Sequence, residues 1–409
     1  MKLNNYTRII LISLALSNIL YLYYFLNLNG YLPAPFFYLK QDTFMDFYNP
    51  LSWLNTNQIY SDIGSVYPPL NFLILKLLTL FSEKDNSSPI LPLEIRNLWG
   101  KDIIFIIFLY YITILISFQM RIWQRLILVD RLSLGVMVLA SLPLLYAIER
   151  GNLIILCVLF LTLYISTEND ILKTIYISLL INLKPYFFII YLLELSRKNT
   201  YLKFTVPLIS LLIYLISGTI LDEDYYLMPF NILGFGVSSS LFSAMDIINF
   251  PSTVLALSSL TKLIPIFDLF SIIMYLLKVI LYFYLFKLIR IFFQKKLNDT
   301  DFMIGMIIII TNVSISVGGY CILFYIPLIP IIFKYEEYKN LRYLLLLFFI
   351  GMLGFIPIYN FDIGSQFSYL SQSNVMVNLK LALGSILNPV VNFIILLKFY
   401  ERNNEPKIT

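Results

Sequence analysis

The chain has 409 residues, of which 59% are hydrophobic and 13% charged, and its mean hydropathy is +0.81. A soluble domain carries about 25% charged residues, so this composition excludes an ordinary soluble protein. The net charge of +5 lies in short basic loops and needs no nucleic acid to explain it. With no histidine in the chain, a His general base, a Ser-His triad and His metal ligation are also excluded.

Hydrophobic runs of about 17 to 25 residues recur, the length that crosses a bilayer core as a helix. About twelve are predicted, at residues 8–26, 67–81, 102–120, 132–148, 153–166, 174–195, 204–221, 264–293, 302–316, 319–333, 343–359 and 379–399. The expected fold is therefore an all-α polytopic membrane protein. The first run closes on Tyr21, Tyr23, Tyr24 and Phe25 with no small-residue cleavage site behind it, so it reads as a retained span. The second, fifth, ninth and tenth are short enough to be tilted or broken.

Lys2 and Arg8 precede the first span, and Arg197, Lys198 and Lys203 follow the sixth. Lys287, Arg290, Lys295 and Lys296 close the eighth, Lys334, Lys339 and Arg342 follow the tenth, and Lys398, Arg402 and Lys407 end the chain. With about twelve crossings these clusters share one side, the cytoplasm. The loop bearing Asp42 and Asp46 then faces outward. Arg121, Arg125 and Arg131 fall outside too, either as phosphate ligands or because the third and fourth spans are misassigned. A second outward stretch, 222–262, mixes Phe230, Leu233, Phe235, Leu241 and Phe242 with Gly, Ser and Asn, which suits interfacial helices. No internal repeat is apparent, which disfavours a transporter built from inverted repeats. Cys157 and Cys321 lie apart in hydrophobic runs and read as packing residues.

Four constellations carry chemistry. Asp42 and Asp46 are four residues apart, so one short interfacial helix would hold both carboxylates on one face, with Phe44, Met45, Phe47, Leu51, Trp53 and Leu54 toward lipid. A carboxylate held at a membrane surface suits a general base for a hydroxyl; ordinary loop acids and helix caps are the plainer reading. Tyr67-Pro68-Pro69 then opens the next helix. Glu149-Arg150-Gly151-Asn152 reads either as a ligand site or as a tight turn with an ion pair and Asn152 as N-cap. Lys184-Pro185 sits mid-run, where Pro opens the helix beside a costly cation; an anion such as a lipid phosphate, or a snorkelling or paired lysine, accounts for it. Ser314 to Tyr320, with Gly318 and Gly319, suggests a broken helix lining a cavity or small-residue packing.

The order of these features resembles the family 87 glycosyltransferases of the GT-C superfamily, whose familiar members are the mycobacterial mannosyltransferases that extend phosphatidylinositol mannosides. The family's aspartate with a hydrophobic-aromatic pair, its Leu-Tyr dipeptide and its Tyr-Pro-Pro are matched by Asp42-x-x-Met45-x-Phe47-Tyr48, Ile59-Tyr60 and Tyr67-Pro68-Pro69-Leu70. A Gly-Gln-x-Asn element resembles Arg150-Gly151-Asn152, here without the Gln. The Lys-Pro of a later span matches Lys184-Pro185, and a late Ser…Tyr…Pro-Leu segment resembles Ser316, Tyr320 and Pro327-Leu328. The likeness covers the first half well and the rest loosely. The histidine that some relatives place near the acceptor is absent, and the stretch from Tyr60 to Tyr67 is shorter than in the family.

The resemblance implies a single GT-C domain over 1–409, with a core at 1–220, a catalytic loop at 27–66 and variable C-terminal helices at 221–409. It implies inverting sugar transfer from a polyprenyl-phosphate donor to a lipid or glycan acceptor hydroxyl at the outer leaflet. The implied setting is a bacterial inner membrane, with the site facing the periplasm. Asp42 or Asp46 would be the base, spacing to Ile59-Tyr60 favouring Asp42. Lys184, Arg150 and Asn152 would hold the donor phosphate, and Tyr48, Tyr60, Tyr67 and Tyr320 would line the donor and acceptor pocket. No metal or other cofactor is expected, because a monophosphate leaving group can be balanced by Lys and Arg. Two other classes stay open. A flippase or transporter of lipid-linked saccharides should scatter charges over its central helices, and an O-antigen-type polymerase should carry a large late outer loop.

Overall fold

The computed structural model describes residues 44–54, 58–80, 102–197, 199–221, 224–239, 267–294, 297–313, 319–350 and 393–403. It also describes a few isolated positions near 8–19, 94–95, 360–362, 376–378 and 391. The chain is predominantly helical. In order the helices are α1 (Met45–Trp53), α2 (Pro69–Thr79), α3 (Asp102–Gln119), α4 (Arg121–Gln124), α5 (Leu128–Leu139), α6 (Leu142–Arg150), α7 (Ile154–Ser166) and α8 (Asp170–Leu183). They continue with α9 (Phe188–Leu195), α10 (Thr200–Leu221), α11 (Met228–Ser239), α12 (Phe267–Gln294), α13 (Asp299–Val313), α14 (Ile329–Lys334) and α15 (Lys339–Ile350). Two three-residue strands, β1 (Asn360–Asp362) and β2 (Met376–Asn378), pair antiparallel, a small departure from the all-helical expectation.

The chain divides into two compact units. One comprises Gln41–Ser117 and Ala147–Ser239 and holds most of the candidate residues. Its helix α8 starts where the Asn169 side chain accepts from the N–H groups of Ile171 and Leu172, at 2.9 and 3.2 Å, and Asp170 favours the first turn. It stops at Lys184, whose φ of −143° and ψ of 107° are extended, because Pro185 has no N–H to continue the ladder and disfavours a helical residue before it. A 3₁₀ turn, Pro185–Phe187, then leads into α9.

Direction is where the 174–195 expectation fails. Helices α8 and α10 run parallel: Thr174 meets Thr205 at 2.9 Å, the Ser178 hydroxyl donates to the Val206 carbonyl at 3.4 Å, and the Asn182 amide donates to the Ser210 carbonyl at 3.0 Å. Beyond the break the chain comes back. The Tyr191 hydroxyl donates to the Lys203 carbonyl at 3.0 Å, Tyr164 hydrogen-bonds the buried Glu194, and the Asn199 amide donates to Asp170 at 3.1 Å. Residues 170–195 are thus a broken-helix hairpin with Lys184-Pro185 at its tip, and they return to the end from which they started instead of crossing. An unbroken apolar run looks the same in sequence whether it continues or doubles back.

Helix α10 is the one helix among the described residues long and apolar enough to cross a membrane, with 22 residues and a mean hydropathy of 2.1. Only 17% of its apolar window is buried, unlike the core helix of a soluble protein. Phe204, Leu208, Leu211, Leu215 and Ile216 are exposed along it, while Leu202, Val206, Ser217 and Gly218 face inward. Past its end, α11 exposes Tyr226 just before it and Phe230 and Leu233 within it, one helical face, and turns Met228 and Asn231 toward the first loop.

The other unit comprises Met1–Lys40, Phe118–Tyr146 and Ser240–Thr409. Arg8 reaches the buried Asp130 through Nε at 3.0 Å and Nη2 at 2.8 Å, so the Arg121–Arg131 segment lies beside the residue that opens the first expected span. Alternate crossings would have separated them, so of the two readings of the Arg121–Arg131 cluster this bond favours misassigned third and fourth spans. Elsewhere in this unit the buried Asp301 accepts from the Tyr338 hydroxyl at 2.8 Å and the Asn298 amide at 2.7 Å. Arg402 stands 4.0 Å over the Tyr338 ring and 3.6 Å from Asp301. Between α13 and α14, residues Gly319–Leu328 are wound as a 3₁₀ helix with Pro327 inside it.

Candidate functional site

Helix α1 is short and enters from a strained residue. Phe44 has φ 62° and ψ 16°, left-handed backbone that a bulky side chain rarely adopts. Its carbonyl accepts from Phe47 N–H at 3.1 Å and Tyr48 N–H at 3.0 Å, which starts the helix. Such strain persists only where surrounding contacts over-determine it. Here they do: Phe44, Met45, Phe47, Tyr48 and Leu51 are all buried, leaving Asp46 in the first turn turned to a polar neighbourhood.

That neighbourhood is the end of α6. Gly151 N–H donates to the Ile148 carbonyl at 2.9 Å and Asn152 N–H to the Ala147 carbonyl at 3.0 Å, the paired bonds of a Schellman turn, which needs Gly151 at φ +67°. A Cβ on Gly151 would lie 2.8 Å from the Phe47 Cβ and 2.9 Å from the Phe44 ring, so glycine is what allows α1 to close on the turn. The buried Tyr110 hydroxyl donates to the Gly151 carbonyl at 2.8 Å and braces it from α3. Asn152 works in both directions. Its Oδ1 accepts from Ile154 N–H at 2.9 Å, capping α7, and its Nδ2 donates to Asp46 Oδ2 at 2.7 Å. Arg150 Nη2 holds Asp46 Oδ1 at 2.6 Å. The ion pair of this turn is therefore made with a carboxylate 104 positions away. Twelve alternate crossings would have put the two on opposite faces.

Lys184, at the hairpin tip, completes the cluster. Its ammonium stands 4.7 Å over the Tyr67 ring, in the same unit as Asp46. Tyr67 is held from both sides: its N–H donates to Ser65 Oγ at 3.2 Å, and its carbonyl accepts from the Tyr60 hydroxyl at 3.0 Å. The Asn231 amide of α11 donates to the carbonyls of Tyr60 and Ser65, at 2.9 and 3.2 Å, pinning the loop before α2. Burial pushes the Asp46 carboxyl above its ordinary value, and the Asn152 amide, then Lys184, pull it partly back.

Of the residues expected at a site, one unit brings together Asp46, Arg150, Asn152, Lys184 and Tyr67. Tyr48 and Tyr60 belong to the same unit but are fully buried, Tyr48 edge-on to Phe47 and Tyr60 edge-on to Phe72. Tyr320 belongs to the other unit, and Asp42 lies outside the described residues. Asn71, Tyr110 and Asn231 were not among the expected residues. Each is a polar group in or beside an apolar run, which is the signal that could have found them. Among the described residues no three Asp, Glu or Cys side chains gather as a metal-binding group. No family model, curated protein or solved structure matches this chain.

Proposed function

We propose that the protein is a polytopic membrane glycosyltransferase of GT-C type, moving a sugar from a polyprenyl-phosphate donor to an acceptor hydroxyl. The observation that carries this reading is the ion pair of Asp46 with Arg150 in a unit that also places the Lys184 ammonium over Tyr67 and whose long helix α10 is apolar and exposed. The acceptor oxygen attacks the anomeric carbon, its proton passes to Asp46, and the sugar–phosphate bond breaks with inversion to release the lipid phosphate. Arg150 and Lys184 balance the phosphate charge. Asp46 keeps the capacity to accept a proton because a carboxylate has about four lone-pair sites, of which Arg150 and Asn152 occupy two. The test is transfer of radiolabelled sugar from its polyprenyl phosphate by the purified full chain in proteoliposomes, beside a flipping assay. Flipping without transfer would replace this reading with the transport one.

Two results are expected on this reading. The rate should rise with pH through the Asp46 pKa and fall on acidification, because a base works only when deprotonated. Since burial raises that pKa, the acid limb should lie above the ordinary carboxylate range, as a pH–rate profile of kcat/KM would record. Lys184→Met, similar in bulk and uncharged, should weaken binding of undecaprenyl phosphate by about tenfold, the loss of one charged contact. An unchanged Kd would return Lys184 to a structural role.

A further inference from the structure

The hairpin tip poses a problem of unpaired backbone. Helix α8 ends at Leu183 and Pro185 carries no N–H, so the Ile181 carbonyl loses its partner four residues on. The Phe187 N–H, which would have served Leu183, instead donates to the Lys184 carbonyl at 3.0 Å. Carbonyls left this way inside an apolar unit are costly unless another donor reaches them. For the Leu183 carbonyl that donor comes from α2. Asn71, 2% exposed, donates from Nδ2 to the Leu183 carbonyl at 2.9 Å and to the Pro68 carbonyl of its own turn at 3.3 Å, with the Asn182 carbonyl alongside at 3.5 Å. Asn71 is four residues past Tyr67, so one amide ties the segment carrying the Tyr67 ring to the segment carrying the Lys184 ammonium.

We propose that Asn71 is a positioning residue that fixes the Lys184 ammonium over Tyr67, in the unit that holds the Asp46–Arg150 pair. A second amide shares the load: Asn182 donates to the Ser178 carbonyl at 2.9 Å and the Ser210 carbonyl at 3.0 Å, holding α8 to α10 but leaving the tip carbonyls to Asn71. The sequence signature is an amide following Tyr-Pro-Pro in an apolar run, in reach of a Lys-Pro break.

The structural half of this proposal stands without a ligand, and its consequence for binding rests on the glycosyl-transfer reading. The test uses the purified full chain as Asn71→Leu, with Asn71→Ser as the second variant should the first not fold. Amide hydrogen exchange over residues 182–188 should quicken by about tenfold or more, the loss of one buried hydrogen bond, with α7 unchanged. Undecaprenyl phosphate should bind about tenfold more weakly than to the parent. In the Lys184→Met background the same Asn71 substitution should add almost nothing, as expected of two residues acting through one contact. Unchanged exchange at 182–188 would overturn the proposal, as would a binding loss that adds in full to that of Lys184→Met. Should Lys184→Met bind the lipid phosphate like the parent, the phosphate reading falls, and the exchange result alone then decides whether Asn71 holds the tip.

Discussion

Asp46→Asn is expected to slow glycosyl transfer by about 10² to 10⁴, the cost of a lost proton acceptor. Asparagine keeps the size of the side chain and one acceptor oxygen, so the hydrogen bond from Asn152 or that from Arg150 can survive, though not both in their present form. Arg150 would lose its counter-charge, and removing one partner of a largely buried pair is strongly destabilising. Rate and melting temperature therefore have to be measured together. A rate loss much larger than the melting change, with Kd for undecaprenyl phosphate held, supports Asp46 as the base. A loss expressed only in that Kd would instead make Asp46 the residue that orients Arg150 and would pass the base role to Asp42. Parent-like turnover in both Asp46→Asn and Asp42→Asn would end the mechanism.

Gly151→Ala should be almost as damaging, although a single methyl is added. Two costs combine. A non-glycine residue in the left-handed region loses about 1 kcal/mol or more, and overpacking a filled site adds about 1 to 3 kcal/mol. The nearest obstacle is the Phe47 Cβ at 2.8 Å, an atom every residue but glycine possesses, so trimming the Phe47 ring offers no relief. To make room, α1 must back away from the turn, which draws Asp46 off Arg150 and Asn152. Transfer should fall by at least about tenfold, since small misplacements at a reacting centre are costly. Phe44→Ala in the same chain should not restore it. Parent-like melting and rate in Gly151→Ala would mean that α1 need not close on this turn.

Local chemistry was legible in the sequence wherever a residue's covalent nature forces the backbone. Pro185 breaks its helix, Pro68-Pro69 opens one, and Gly151 with Asn152 ends one helix and caps the next. Helix content followed from the length of the apolar runs. What those runs could not convey is direction and partnership. Nothing in residues 174–195 says that α9 doubles back, and the union of Asp46 with Arg150 spans 104 positions that no periodicity links. The same holds for Arg8 and Asp130, 122 positions apart. Asn71 was overlooked because one amide does not interrupt the hydrophobic pattern of α2, although its burial there demands a partner.

The hairpin also has an electrical meaning. Asn182, two residues before its tip, pairs with Ser210, midway along α10, about eleven residues or ~16 Å short of Leu221. If α10 crosses the bilayer, the Lys184 charge stands well inside the membrane's voltage drop, with its hairpin's two ends on one side. A phosphate that reaches it then traverses roughly half of that drop, so each 100 mV across the membrane changes the free energy of its binding by about 1 kcal/mol. On the glycosyl-transfer reading, occupancy of such a site would follow the membrane potential as well as the supply of donor.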